Sequence, residues 1–150
     1  EFIRGTEFTV GVWGNEKPEA LPVVQVQLEG KLDLGDDFYT FSRLQKPELV
    51  EYICPTKISK KLDKQLKDLA VRAYKSVDCR DFGRVDFRVD GKGNPYVLEI
   101  NPLPCLSKED VFFFAPKALG INYNDMINRI LRYGLQRYGL TNGKYKEARS

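Results

Sequence analysis

The stretch DFGRVDFRVDGKGNPYVLEINP, residues 81–102, holds the side chains that could do chemistry in this chain. It predicts two short strands joined by a tight turn within DGKGNP. In that hairpin Asp86 lies opposite Glu99, and Arg84 lies opposite Asn101, all on one face. Like charges directly across a strand pair are destabilising, so the paired carboxylates need a reason.

The other face of the same hairpin is predicted to be apolar. The expected opposed pairs are Val85 with Ile100, Phe87 with Leu98, and Val89 with Tyr96. This register is self-consistent, because a slip of one residue would send every apolar side chain to the polar face.

The polar face allows two interpretations. It could be a solvent-exposed surface on which Arg84 and Arg88 neutralise the acids. It could instead bind a hard cation, because Asp86, Glu99 and Asn101 offer only oxygen ligands, which suit Mg²⁺. Arg84 would then be free to contact a phosphoryl group, whose oxygens match a planar guanidinium.

The composition limits what else the chain could do. A length of 150 residues with 42% hydrophobic and 30% charged residues fits one soluble globular domain. There is no histidine, which removes imidazole bases and most zinc sites. The net charge of +3 gives no argument for a nucleic acid or a membrane as partner. Three cysteines without a CxxC pair favour a reducing cytoplasm.

Alternation of apolar and polar residues predicts the strands that position the hairpin. One strand has Phe8, Val10 and Val12 on a single face, and a second has Val24, Val26 and Leu28. The segment DFYTF, residues 37–41, is a further candidate strand. Together these strands indicate an α/β (α+β) unit with a mainly antiparallel sheet flanked by helices.

Three helices are expected beside this sheet. Ser59 can cap the first, which should run to about Val77. Its apolar stripe, expected to face inward, consists of Leu62, Leu66, Leu69, Ala70, Ala73 and Val77. The segment DVFFFAPKALG predicts a short helix ending at Gly120, and a final helix is expected over 123–138. The residues expected to face inward from the final helix are Met126, Ile127, Ile130, Leu131, Leu135 and Tyr138. The last ten residues, TNGKYKEARS, are expected to fray.

The segment GRVDFRVD followed by YVLEINPLPCLS resembles the C-terminal part of the ATP-grasp fold, and within it the D-alanine–D-alanine ligase family. The similarity extends from EFIRGTEFTVGVWGNE through YICP to the final helix. It implies that residues 1–150 are a C-terminal ATP-grasp domain, and an incomplete one. Because the family's glycine-rich loop and phosphate lysines are absent, we expect a longer protein, and weak ATP binding without turnover by this chain alone.

The resemblance implies a role for each residue of the motif. Asp86, Glu99 and Asn101 would hold one or two magnesium ions, for which Mn²⁺ could substitute, against the phosphates of ATP. Arg84 would stabilise the charge that develops during phosphoryl transfer. Cys105 stands where the family has glycine after NPxP, so its backbone N–H would help to form an oxyanion hole.

The resemblance also assigns positions to the nucleotide. Phe2 and Ile3 occupy the stretch whose backbone meets the adenine base in the family. Glu7 resembles the glutamate that binds the ribose hydroxyls, although an ordinary strand-end carboxylate is the alternative.

The implied reaction has two steps. A carboxylate attacks the γ-phosphate of ATP to give an acylphosphate, and an amine then attacks the acylphosphate to form an amide or peptide bond. The partners would be small molecules, ATP and an amino acid such as D-alanine, with no nucleic acid and no membrane. The enzyme would be cytoplasmic, would serve peptidoglycan synthesis and could be a homodimer.

Two departures from the family concern the amino-acid substrate. Leu44 and Gln45 replace a Lys-Tyr pair of the family. Asp110 replaces the serine that recognises the carboxylate of the second D-alanine, and would repel it unless Ser107 compensates. A ligase for a different amino acid, or a non-catalytic binding module that keeps the metal motif, therefore remain alternatives.

Overall fold

The structure is a computed structural model of the chain, and it describes residues 1–37 and 46–140. Residues 38–41 of the candidate strand in DFYTF, the substituted positions Leu44 and Gln45, and the expected tail at 141–150 lie outside the described residues.

The described residues form one antiparallel sheet. Its strands are β1 (Thr6–Trp13), β2 (Glu19–Ala20), β3 (Val24–Leu28), β4 (Val50–Ile53), β5 (Phe82–Val89) and β6 (Pro95–Asn101). The order across the sheet is β4-β3-β1-β5-β6, and β2 pairs with β1 at one end. The predicted antiparallel sheet is confirmed, and β1 and β5 lie at its centre.

Helices cover both faces of the sheet. They are α1 (Lys60–Ser76), α2 (Val111–Ala118) and α3 (Tyr123–Arg137). Ser59 caps α1 as predicted, because its hydroxyl accepts the backbone N–H of Leu62 at 3.1 Å. The predicted inward position of Val77 is wrong, since the helix ends one residue before it and Val77 is 55% exposed. Within the described ranges, no helix is both long and apolar enough to cross a membrane.

Two hydrophobic clusters, one on each side of the sheet, form the core. The first packs α1 against β1 and β5, and its members include Phe8, Val10, Val85, Phe87, Leu66, Ala70 and Tyr74. The second packs α2 and α3 against the opposite face, and its members include Trp13, Val24, Phe112 and Met126. The apolar underside predicted for β5 is therefore buried, and the polar side faces the same way as α2 and α3.

The predicted hairpin register is correct as far as Asp86 and wrong beyond it. Asp86 pairs with Glu99 as predicted, but Phe87 pairs with Val97 because a β-bulge interrupts the ladder. The bulge makes Leu98 an extra residue on β6, which has no partner in the ladder. Leu98 is consequently 51% exposed instead of packing against Phe87.

The orientation predicted for the final helix is also partly wrong. Leu131 and Tyr138 are 57% and 69% exposed, although both were expected to face inward. The helix instead meets the sheet around Trp13, where the guanidinium of Arg129 lies 4.3 Å from the ring centre and Tyr133 makes a tilted ring contact. Met126, Ile127 and Ile130 do pack into the second hydrophobic cluster, so the predicted stripe is correct for these three residues.

Candidate functional site

An open cavity of about 570 Å³ lies above the polar face of the sheet. Its walls come from β1, β3, β4, β5 and β6 and from the start of α2. Antiparallel pairing places Thr9 opposite Asp86 and Gly11 opposite Arg84 in the ladder between β1 and β5. Alternate residues of these strands share one face, so the ladder gathers polar side chains on the cavity floor.

Three of the residues predicted for the metal and the phosphate line this cavity, namely Arg84, Asp86 and Glu99, and Glu7, predicted for the ribose, lines it too. Asn101 pairs with Arg84 in the ladder, as predicted. Its side-chain oxygen accepts the backbone N–H of Leu103 at 3.1 Å, and Asn101 does not line the cavity. The carboxylate pair and the arginine are thus the assembled part of the predicted site.

Arg84 binds Asp86 with both arms of its guanidinium. Its Nε lies 3.0 Å from Oδ1 of Asp86, and its Nη2 lies 2.9 Å from Oδ2. Burial acts to lower the pKa of Arg84, but the charge and hydrogen bonds of Asp86 outweigh it and raise the pKa above its usual value. Arg84 is therefore a permanent cation held on the cavity floor.

Glu99 faces this ion pair without a partner of its own among the described residues. It is exposed and lines the cavity, and its side chain makes no hydrogen bond or ion pair to another described residue. One arginine bound to Asp86 therefore leaves a second, uncompensated carboxylate directly across the strand pair. Such an arrangement attracts a cation.

A third carboxylate borders the same cavity. Asp110 caps the N-terminus of α2, where its Oδ1 accepts the backbone N–H of Phe112 at 3.3 Å. Its Oδ1 also lies 4.0 Å from Nη1 of Arg84. A serine would cap the helix as well, so the charge of Asp110 is not needed for the cap.

Arg88 is not on the solvent-facing surface where it was expected to neutralise the acids. Its side chain is buried, and its Nη1 lies 3.0 Å from Oε1 of Glu7. It also donates hydrogen bonds to the backbone carbonyls of Ile3, at 3.1 Å, and of Gly35, at 3.0 Å. The physical reason is position: Arg88 lies opposite Glu7 in the ladder, under the chain segments before β1 and after β3.

Glu7 lines the cavity, as a residue close to a nucleotide would. Burial raises the pKa of Glu7 above the ordinary value for a carboxyl group, and the adjacent Arg88 counteracts part of that increase. Phe2 and Ile3 do not line the cavity. Phe2 is half exposed, with the guanidinium of Arg88 5.7 Å from its ring centre.

Cys105 lies in the loop after β6 and is exposed. It is not part of the cavity wall. The predicted contribution of its backbone N–H to an oxyanion hole stays a prediction. Its side chain does not line the cavity.

Six residues that line the cavity were not among the predicted site residues: Phe8, Thr9, Val26, Tyr52, Leu98 and Val111. Thr9 and Tyr52 line it from β1 and β4, and Leu98 lines it from the bulge. The signal for Thr9 was present, because the register between β1 and β5 places it opposite Asp86. Leu98 could not be found by alternation, since one extra residue in a strand reverses the face on which the following side chains lie.

The donors at the cavity fit a magnesium ion that is shared with a phosphate. Within residues 1–37 and 46–140, no three His, Cys, Asp or Glu side chains are grouped as a metal site. Mg²⁺ is usually bound through one or two carboxylates, with water and substrate phosphates as its other ligands. Asp86 and Glu99 supply that number, so a cage built by the protein alone is not required.

Residues 1–132 match a protein family described as D-ala D-ala ligase C-terminus. The chain belongs to this family. A D-alanine–D-alanine ligase from Pelotomaculum thermopropionicum is 34% identical over 93% of this chain, and the match covers 42% of that protein. The ligase from Carboxydothermus hydrogenoformans is 36% identical over 91% of the chain, again covering 42% of the relative. The predicted family resemblance is confirmed, and the chain spans about two-fifths of these relatives.

Solved structures of this family share the fold. The D-alanine–D-alanine ligase from Coxiella burnetii superposes with a TM-score of 0.74 at 22% identity, over 93% of this chain and 34% of that one. The Bacillus anthracis ligase, complexed with ATP, gives 0.71 at 21% identity, over 92% of this chain and 40% of that one. The predicted ATP-grasp fold class is thereby confirmed.

Proposed function

We propose that this chain is the metal- and phosphate-binding half of an ATP- and Mg²⁺-dependent carboxylate–amine ligase, and that the whole protein joins D-alanine to D-alanine. The observation that carries the proposal is the cavity floor, where Arg84 binds Asp86 and the side chain of Glu99, opposite Asp86 in the ladder, has no partner within residues 1–37 and 46–140. The two relatives above, both named D-alanine–D-alanine ligases, support the choice of substrate.

The anionic residues of the cavity would bind the metal ion, and the cationic residue would contact the phosphate. Asp86 and Glu99 would hold Mg²⁺, with Asn101 as a third oxygen ligand, and Mn²⁺ could take its place. When bound, the ion neutralises charge on the phosphates of ATP. Arg84 stays charged at any physiological pH and is placed to stabilise the phosphoryl oxygens.

The nucleotide would lie along the β1 side of the cavity. Glu7 would accept hydrogen bonds from the ribose, and Arg88 fixes the carboxylate in position through its contact at 3.0 Å. The backbone at Phe2 and Ile3 would face the adenine, and the backbone N–H of Cys105 would face the oxyanion. The proposal also includes a cytoplasmic location, a homodimer, and a product that is a peptidoglycan precursor.

Asp110 favours one alternative, a ligase of the same kind with a different second substrate. Its carboxylate lines the cavity next to Arg84 and would repel an acceptor that carries its own carboxylate. A panel of amino acids and carboxylate-free amines, assayed by phosphate release with the full-length protein, separates the two. D-alanine as the best acceptor supports the first proposal, and a carboxylate-free amine as the best acceptor supports the alternative.

The metal assignment is tested by a double variant of the full-length protein, Asp86→Asn with Glu99→Gln. We expect turnover with Mg²⁺, ATP and D-alanine to fall by about 10³-fold or more, because both cation ligands lose their charge. The matched control is Asp63→Asn with Asp68→Asn on the outer face of α1, which should stay within about twofold of wild type. Full turnover by the Asp86/Glu99 variant would contradict the assignment.

A further inference from the structure

Thr9 lies in the middle of β1, directly opposite Asp86 of β5. Its side chain is 4% exposed, so its hydroxyl has almost no access to water. A buried hydroxyl is normally hydrogen-bonded, because an unpaired one costs free energy. The hydrogen-bond partner of the Thr9 hydroxyl therefore indicates what this side chain does in the fold.

The hydroxyl of Thr9 binds the carboxylate of Asp86. The distance from its Oγ1 to Oδ1 of Asp86 is 2.6 Å, whereas the backbone carbonyl of Val85 is 3.5 Å away. A hydroxyl has one proton to donate, and 2.5–2.7 Å is the range of a charge-assisted bond to a carboxylate. The Thr9 hydroxyl therefore donates its proton to the carboxylate of Asp86 and not to the backbone carbonyl of Val85.

Thr9 is also the stiffer of the two partners of Asp86. A β-branched side chain has restricted χ1 freedom, and β1 is held by β3 on one side and β5 on the other. Arg84, the other partner, has a long flexible side chain. Under the proposed function its guanidinium turns from Asp86 to the phosphoryl oxygens.

We propose that Thr9 is a positioning residue that keeps the carboxylate of Asp86 in a single orientation when Arg84 leaves it. The inference rests on the proposed function of the cavity. Its physical basis is that Mg²⁺ demands nearly ideal octahedral geometry, so a carboxylate ligand that rotates binds it poorly. The bond from Thr9 occupies one lone pair of Oδ1 and leaves Oδ2 for the ion.

The test uses the 150-residue chain carrying Arg84→Met, which removes the other partner of Asp86. Into this background we introduce Thr9→Val, which keeps the shape and loses the hydroxyl, and Thr9→Ser, which restores the hydroxyl. Thr9→Ala is a second hydroxyl-free variant in case the valine disturbs folding. Three-bond NMR couplings report the χ1 rotamer of Asp86, and EPR of free Mn²⁺ gives the affinity for that ion alone.

We expect one rotamer of Asp86 in the parent and in the serine variant, and averaged couplings in the valine and alanine variants. Mn²⁺ affinity should fall about 10-fold or more without the hydroxyl, as for other groups that orient metal ligands, and should recover with serine. Hydroxyl-free variants that keep one rotamer and full Mn²⁺ affinity would overturn the role of Thr9.

The rotamer measurement and the Mn²⁺ measurement together distinguish a failure of this inference from a failure of the proposed function. If the parent binds no Mn²⁺ while the rotamer still depends on the Thr9 hydroxyl, the metal assignment is wrong and Thr9 still orients Asp86. If Mn²⁺ binds but neither arm responds to the hydroxyl, the metal assignment stands and the role of Thr9 is wrong.

Discussion

Asp86 in β5 and Asp81 just before it each bind an arginine through two guanidinium nitrogens. Only the pair of Asp86 with Arg84 lines the cavity. Nη2 of Arg84 lies 2.9 Å from Asp86, and Nη2 of Arg137 lies 2.7 Å from Asp81. The arginine and aspartate are 19% and 21% exposed in the first pair, and 35% and 15% in the second. The hydrogen-bond geometry of the two pairs is alike, and Arg137 is the more exposed of the two arginines.

The neighbours distinguish the two pairs. Asp81 also accepts a hydrogen bond from Nδ2 of Asn15 at 3.0 Å, while its backbone N–H donates to Oδ1 of Asn15 at 2.8 Å. Together with the bonds from Arg137 they join α3 to the turn after β1, and we call the group formed by Asn15, Asp81 and Arg137 the clasp. Asp86 has Glu99 across the ladder instead. The ion pair is common to both places, so under the proposed function the chemistry depends on the second carboxylate, Glu99, whose side chain has no partner among the residues that the structure describes.

The two ion pairs should differ most in turnover when the arginine of each pair is replaced in turn by methionine. In the full-length protein, Arg84→Met should lower turnover by about 10³-fold or more, because under the proposed function Arg84 is the cation that meets the transferred phosphoryl group. Its effect on the free energy of unfolding should stay near 1 kcal/mol, since Asp86 keeps the Thr9 bond and some access to water.

Arg137→Met is the matched control, with the opposite result expected. Turnover should remain within about twofold of wild type, while the free energy of unfolding should fall because the hydrogen bonds from Arg137 to Asp81 are lost. Phosphate release and urea unfolding measure the two quantities. Equal losses of turnover in both variants would remove the distinction between the pairs.

The buried pair of Arg88 and Glu7 extends the comparison to an interior ion pair. Arg88→Met should destabilise the chain by about 3–5 kcal/mol, because it leaves Glu7 without its cation and also frees the backbone carbonyl of Ile3. Adding Glu7→Gln should restore part of the loss, since a neutral amide tolerates burial better than an unpaired carboxylate. Urea unfolding of both variants tests this, and no recovery in the double variant would show that the ion pair is not the cause.

The smallest effect concerns the pH dependence of the clasp. Burial opposes ionisation of Asp81, but hydrogen bonds from Arg137 and Asn15 outweigh it and hold the pKa of Asp81 below its ordinary value. The clasp therefore contributes stability that is complete above about pH 4 and is lost as the pH falls through the lower, folded-state pKa. Wild type should lose its stability advantage over Asp81→Asn on acidification, as followed by urea unfolding. An advantage that grows below pH 4 would contradict the sign.

Much of this architecture could be predicted from local patterns. Alternating apolar residues located β1, β3 and β5, and the Ser59 cap located the start of α1. The same pattern placed Asp86 opposite Glu99, because register near the end of the hairpin depends only on which side chains are buried.

The parts that failed depend on contacts distant in sequence. The bulge at Leu98 adds one residue without changing the composition of the strand, so alternation does not reveal it. Arg88 is as polar as Arg84, and only the position of Glu7 on another strand makes it an interior residue. The side of α3 that meets the sheet also carries Arg129, whose guanidinium contacts the ring of Trp13, and hydrophobic periodicity does not include such a contact.

The central claim is that the cavity floor binds a divalent cation and the clasp at Asp81 does not. The most direct test is the binding of Mn²⁺ to the 150-residue chain, measured by EPR for wild type, for Asp86→Asn with Glu99→Gln, and for Asp81→Asn. We expect Mn²⁺ binding to be lost in the cavity variant and to be unchanged in Asp81→Asn. Unchanged binding in the cavity variant would contradict the central claim.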